Sequence, residues 1–142
     1  MALLNQHTST LTILSQTELL NDVREFVSNH ARKHGFADDD VNKISIAVDE
    51  ACTNIIKHGY NFSTKEKIEI HINRKESEFE IVITDTGKQF DPKEISTPDM
   101  KEYLSQFRRG GLGVYLMKRI MDKVEFTVHA NENQLRMIKY LQ

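Results

Sequence analysis

With a single cysteine, Cys52, in 142 residues, the chain has no internal disulfide, and no CxxC pair gives it zinc-site spacing. The six histidines are scattered without metal-ligand spacing, so packing and surface roles suit them. An excess of either charge is missing too. A formal net charge of -2 argues against a broad nucleic-acid surface, which needs a basic surplus. No apolar run approaches the ~20 residues that span a bilayer, and no signal peptide is visible. The expected compartment is the cytoplasm, with neither membrane nor nucleic acid as a direct partner. There is no internal repeat, low-complexity tract or domain linker. What remains is ordinary for a globular protein: 39% hydrophobic and 28% charged residues. At this length a single domain over residues 1–142 is expected, with room for a substantial core.

Thr8–Leu14 alternates weakly and reads as an edge strand. Ser15–Glu18 has the capping-box pattern that opens a helix faced by Leu19, Val23, Phe26, Val27 and Ala31, with Gly35 as its stop. Asp38, Asp39 and Asp40 suit the N-cap and first turn of a second helix, whose apolar stripe is Val41, Ile44, Val48, Ala51 and Ile55 and whose end is Gly59. Strands follow over Lys67–Arg74 and Glu78–Thr84, each alternating isoleucine with polar residues. Lys88–Arg109 holds both prolines, Pro92 and Pro98, and reads as a long loop or lid with a short helical piece around Asp99–Phe107. A third helix carries Leu112, Leu116, Met117, Ile120 and Met121. A closing hairpin, Val124–His129 and Gln134–Leu141, turns through Ala130–Asn133. Helices come in a group rather than after every strand. The expected class is therefore α+β: a two-layer sandwich with helices on one face of a mixed, mainly antiparallel sheet.

Three stretches carry chemistry. In the first, Glu50 and Asn54 stand one turn apart on one face of the second helix, with Lys57 and His58 in the next turn. The carboxylate can take a proton from a hydroxyl, and the amide oxygen can help hold a hard cation such as Mg2+. Alone, this pair is common on solvated faces. The second is Asp85-Thr86-Gly87, ending a strand. There the carboxylate can accept from an exocyclic amine and the glycine admits a flat ring, although Asp-x-Gly turns are common by themselves. The third is Arg108-Arg109-Gly110-Gly111-Leu112-Gly113, opening a helix. It reads either as an anion site built from free amides and arginines or as a hinge. It lacks the lysine of a Walker A loop, and no strand feeds it directly.

In this order the three resemble the Bergerat-fold ATP-binding superfamily of histidine kinases, gyrase B and MutL. Glu50–Asn54 matches its N-box, Asp85–Gly87 its first glycine box and Gly111–Gly113 its second. The stretches DEACTNIIKHGY, DTGKQFD and GGLGVYLMKRIMDKVEF look closest to the anti-sigma factor serine/threonine kinases of bacterial partner switching. The resemblance implies ATP and Mg2+ as cofactors. Asn54 would hold the metal, and Glu50 would act as base toward the acceptor hydroxyl. Asp85 would bind the adenine amine with Gly87 beneath the ring. Gly110, Gly111, Leu112 and Gly113 would line the phosphates. Arg109 would stand near the γ-phosphate or the protein substrate, and Lys57 would be either a phosphate contact or a solvated lysine, with His58 beside it. One departure is Gln89, where the first box often has a second glycine, which stiffens that loop.

The implied activity is phosphorylation of an anti-anti-sigma partner of the sulfate-transporter/anti-sigma-antagonist (STAS) fold, coupled to sequestration of a sigma factor. Members of the branch are typically homodimers. A module that captures partners without catalysis is the alternative, and retention of both Glu50 and Asn54 speaks against it.

Overall fold

The computed structural model describes residues 6–88 and 112–142. The elements run β1 (Gln6–Leu14), a 3-10 turn (Thr17–Leu19), α1 (Leu20–His34), α2 (Asp38–Asn54), a π turn (Ile55–Gly59), β2 (Lys67–Lys75), β3 (Glu78–Asp85), α3 (Leu112–Ile120), β4 (Lys123–His129) and β5 (Glu132–Tyr140). The proposed lid Lys88–Arg109 and its short helix fall almost wholly outside the described residues.

The strands form one sheet in the order β1-β2-β3-β5-β4. All four adjacent pairs are antiparallel, so the described sheet has no parallel pair. Its alternating isoleucines fall into cross-strand rows. Leu11, Ile70, Ile83, Leu135 and Phe126 form one row, and Ile72, Ile81, Met137 and Val124 the next. Side chains of one parity share a face, so these rows give the sheet one apolar side. The helices cover it with Val23, Val27 and Ala31 of α1, Ile44, Val48 and Ala51 of α2, and Val114 and Met117 of α3, all buried. The opposite face is mainly polar, with Ile138 and Val82 among its apolar members. There the buried Glu80 accepts from Asn73 Nδ2 at 2.6 Å and Arg136 Nε at 2.5 Å.

The α+β sandwich expected from the pattern is the one observed, with β1 at an edge. Helix starts differ from expectation. Ser15 caps no helix; it is fully buried, donates from Oγ to Ser63 O at 2.5 Å and accepts from Glu66 N at 3.2 Å. Its hydroxyl is spent on a distant loop, so the 3-10 turn begins after Gln16 without a side-chain cap. The N-cap of α2 is Ala37, and the three aspartates occupy the first turn, where they meet the positive end of the helix dipole. Gly35 does end α1, at φ 110°, a left-handed conformation that favours glycine.

Candidate functional site

The site lies where the end of α2 meets the end of β3. After Asn54 the helix widens into the π turn, closed by Tyr60 N donating to Ile55 O at 2.7 Å. Single π turns inside helices are frequent at functional positions. Gly59 ends this turn, as its sequence position suggested, but without a left-handed φ. Two hydrogen bonds fasten the segment after β3 onto it, and a third ties Tyr60 to the start of β2. Tyr60, itself buried, donates from its hydroxyl to Lys67 O at 2.5 Å and accepts from Thr86 N at 2.9 Å. Lys88 N donates to Gly59 O at 2.7 Å. Burial holds the Tyr60 phenol above its ordinary pKa, so the hydroxyl stays a donor.

Gly87 owes its identity to this joint. A Cβ there would lie 2.6 Å from both the carbonyl carbon and oxygen of Gly59. The backbone of Gly59 packed against it requires glycine here whether or not a flat ring also lies against this position.

Asp85 is 7% exposed. Its Oδ1 accepts from Gly87 N at 2.8 Å and from Asn133 Nδ2 at 3.0 Å, and the same Nδ2 reaches Gly87 O at 3.1 Å. Oδ1 is thus fully engaged, while Oδ2 takes no hydrogen bond from a described residue. A carboxylate oxygen without a partner among the described residues suits an external donor such as an exocyclic amine. Asn133 Oδ1, buried and without a partner among the described residues, points the same way. Asn133 is the residue that reading the sequence missed. The sequence pattern puts it in a turn, whereas β5 begins at Glu132 and sets Asn133 opposite Asp85.

Glu50 and Asn54 are half-buried on successive turns of α2, Lys57 is half-buried and His58 exposed. Beside Glu50, Asp49 is held by α1: Arg24 Nη2 lies 2.8 Å from Asp49 Oδ1, an ion pair off the hydrogen-bond direction. α3 packs on α2 through Val114 and Met117. It leads directly into β4, whose first residue Lys123 pairs with Ile138, at the sheet end remote from Asp85. The N-terminus of α3, with Leu112 and Gly113, is therefore at the Asp85 end, where the positive end of the helix dipole suits an anion. Arg109, Gly110 and Gly111 lie outside the described residues.

Among the described residues no three His, Cys, Asp or Glu side chains are grouped to hold a metal. This donor set fits Mg2+ carried by a nucleotide, because that ion keeps waters and phosphate oxygens and needs only one or two protein ligands. Among the same residues no helix is long and apolar enough to cross a membrane.

Fold and site together define a histidine kinase-like ATPase domain, and the chain matches that family over residues 13–139. Over 136 residues it is 34% identical to Serine-protein kinase RsbW of Halalkalibacterium halodurans, covering 93% of this chain and 82% of that protein. With RsbW of Bacillus subtilis the identity is 30% over 135 residues, covering 92% and 84%. The chain belongs to this family, the RsbW serine-protein kinases. Solved structures share the fold: a chain of the SiaB–SiaC complex of Pseudomonas aeruginosa has a TM-score of 0.68 at 15% identity, covering 92% of this chain and 88% of that one. The RsbU and RsbW domains of a Mycobacterium tuberculosis protein give 0.67 at 12% identity, covering 94% of this chain and 31% of that one.

Proposed function

We propose that this protein is an ATP-dependent protein-serine/threonine kinase of a partner-switching pair, phosphorylating a STAS-fold anti-anti-sigma protein and sequestering a sigma factor. It works in the cytoplasm as a homodimer. The observation that carries the nucleotide assignment is the Asp85 carboxylate, with one oxygen locked by Gly87 and Asn133 and the other taking no hydrogen bond from a described residue, near the end of the helix bearing Glu50 and Asn54. Asp85 takes the adenine amine. Asn54 would be the protein ligand to Mg2+, which would supply positive charge against the charge developing on the phosphates. Gly113, with Gly110, Gly111 and Leu112, offers amides to the phosphates, and Arg109, Lys57 and His58 add positive charge at their edge.

Glu50 receives the proton of the acceptor hydroxyl as its oxygen bonds to the γ-phosphorus and the bond to the β-phosphate oxygen breaks, leaving ADP. Beyond that proton transfer the chain supplies orientation and charge, which is most of what phosphoryl transfer requires.

The test is incubation with labelled ATP, Mg2+ and candidate STAS proteins. Label should appear on a serine or threonine of one of them. Glu50→Ala should slow transfer by about 10²–10⁴-fold with ATP still bound, the usual contribution of a positioned base. Asn54→Ala should lose the Mg2+-dependent part of nucleotide binding. Unimpaired transfer by Glu50→Ala removes the base from the mechanism.

A further inference from the structure

Ile46, Glu50 and Asn54 occupy successive turns of α2. The inward stripe of this helix is Val41, Ile44, Ala47, Val48 and Ala51, all at most 2% exposed. At about 100° per residue Ile46 points nearly opposite that stripe, and it is 48% exposed. Its neighbours three and four residues away are Asn42, Lys43, Asp49 and Glu50, polar without exception. Two of these charges are engaged within the chain: Lys43 with Asp39 at 3.3 Å and Asp49 with Arg24 at 2.8 Å. Ile46 is thus the apolar point of a polar ridge whose charges face their own partners. A β-branched side chain there helps neither helix propensity nor the core.

The order along the helix gives a direction of approach. Asn54 lies on one side of Glu50, toward the phosphates, and Ile46 lies one turn away on the other. An acceptor hydroxyl cannot enter from the side the phosphates fill. With the roles given above to Glu50 and Asn54, a polypeptide approaching from the other side would pass Ile46.

We propose that Ile46 is a specificity-determining residue: it seats an apolar side chain of the protein substrate close to the acceptor serine or threonine. The proposal rests on the roles given above to Glu50 and Asn54. The other large apolar side chains exposed among the described residues, Leu14, Phe62 and Val128, sit at strand ends or in the loop after the π turn and offer no such route.

The experiment uses the full chain, labelled ATP, Mg2+ and the unphosphorylated STAS protein that the wild type labels. Ile46→Gln keeps length and helix propensity and removes the apolar surface. It should raise KM for the STAS protein about tenfold, as expected for losing much of one buried isoleucine contact. The value of kcat and the affinity for ATP should stay within about twofold, and the melting temperature should not fall. Ile46→Val should keep most of the wild-type KM. An unchanged KM in Ile46→Gln overturns this inference and leaves the kinase reading standing, since isolated apolar surface residues are ordinary. A fall in kcat or in ATP affinity without a KM change also overturns it. If the wild type labels no STAS protein at all, the kinase reading fails first and this one with it.

Discussion

Replacing Gly87 by alanine would place a methyl carbon 2.6 Å from the carbonyl carbon and oxygen of Gly59 and 3.0 Å from its Cα. These are backbone atoms, so no rotamer change relieves the contact. Reaching an ordinary separation of about 3.4 Å requires the two segments to part by about 0.8 Å. The Lys88 N to Gly59 O hydrogen bond would then stretch from 2.7 Å to about 3.5 Å, beyond useful length. Losing that bond costs about 1 kcal/mol and the residual overpacking about 1–3 kcal/mol, together about 2–4 kcal/mol. At roughly 3 °C per kcal/mol for a chain of this size, the nucleotide-free protein should melt roughly 6–12 °C lower. Gly59→Ala is the control. Its new Cβ would meet Asp85 Oδ1 at 3.7 Å and Ile55 Cγ2 at 3.8 Å, ordinary contacts, and its φ is not left-handed. That variant should melt within about 1 °C of wild type. Scanning calorimetry on both, with ATP titrations alongside, separates the possibilities. Were the glycine needed only to admit a flat ring, Gly87→Ala would keep its melting temperature and lose only affinity, and that result would refute the packing argument.

Two further outcomes follow from other groups. His30 and His34 titrate below the ordinary histidine value, through burial first and then the positive charge of Arg74, joined for His30 by Lys33 and His7. The unfolded chain therefore binds protons that the folded one refuses once the pH drops below about 6.5, so stability is full above that pH and declines below it. The ceiling is about 1.4 kcal/mol per pH unit for each ring, and half-buried rings fall short of it. Urea unfolding at pH 7.5 and 5.5 should show the loss in wild type and much less of it in the His30→Gln/His34→Gln double variant; a wild-type curve flat over that range contradicts the assignment. Asn133→Ala removes the donor shared by Asp85 Oδ1 and Gly87 O, and should weaken ATP binding about tenfold while costing about 1–2 kcal/mol in stability. Calorimetric titration giving wild-type affinity would show that Asn133 does not position Asp85.

The parts of the fold that sequence patterns foretold are those set by local period. Ile68, Ile70 and Ile72, then Phe79, Ile81 and Ile83, alternate because one face of each strand is covered, and the stripe of α2 follows the helical repeat. The parts they did not foretell depend on residues far apart in the chain. Ser15 has the local signature of a helix cap, yet its hydroxyl bonds at Ser63 and Glu66, about fifty residues away. The constraint on Gly87 comes from Gly59, a neighbour only once α2 and β3 are docked. Glu50, Asn54 and Asp85 stood out because their residue types and order matched a known pattern. Asn133 belonged to no motif. Extending the last strand by two residues would have set it beside Asp85, but Asn and Glu next to a turn argue for loop, and sheet pairing overrode that preference.

β5, the last strand in the chain, slots between β3 and β4, and it carries Asn133 across 48 positions to Asp85. A nascent chain that has made everything up to β4 still has a gap in the middle of its sheet and an Asp85 without its Asn133 partner. Such long-range closure is slow relative to hairpin and helix formation. Capture of nucleotide should then be among the last properties acquired during maturation, which would make ATP binding a report that assembly is finished.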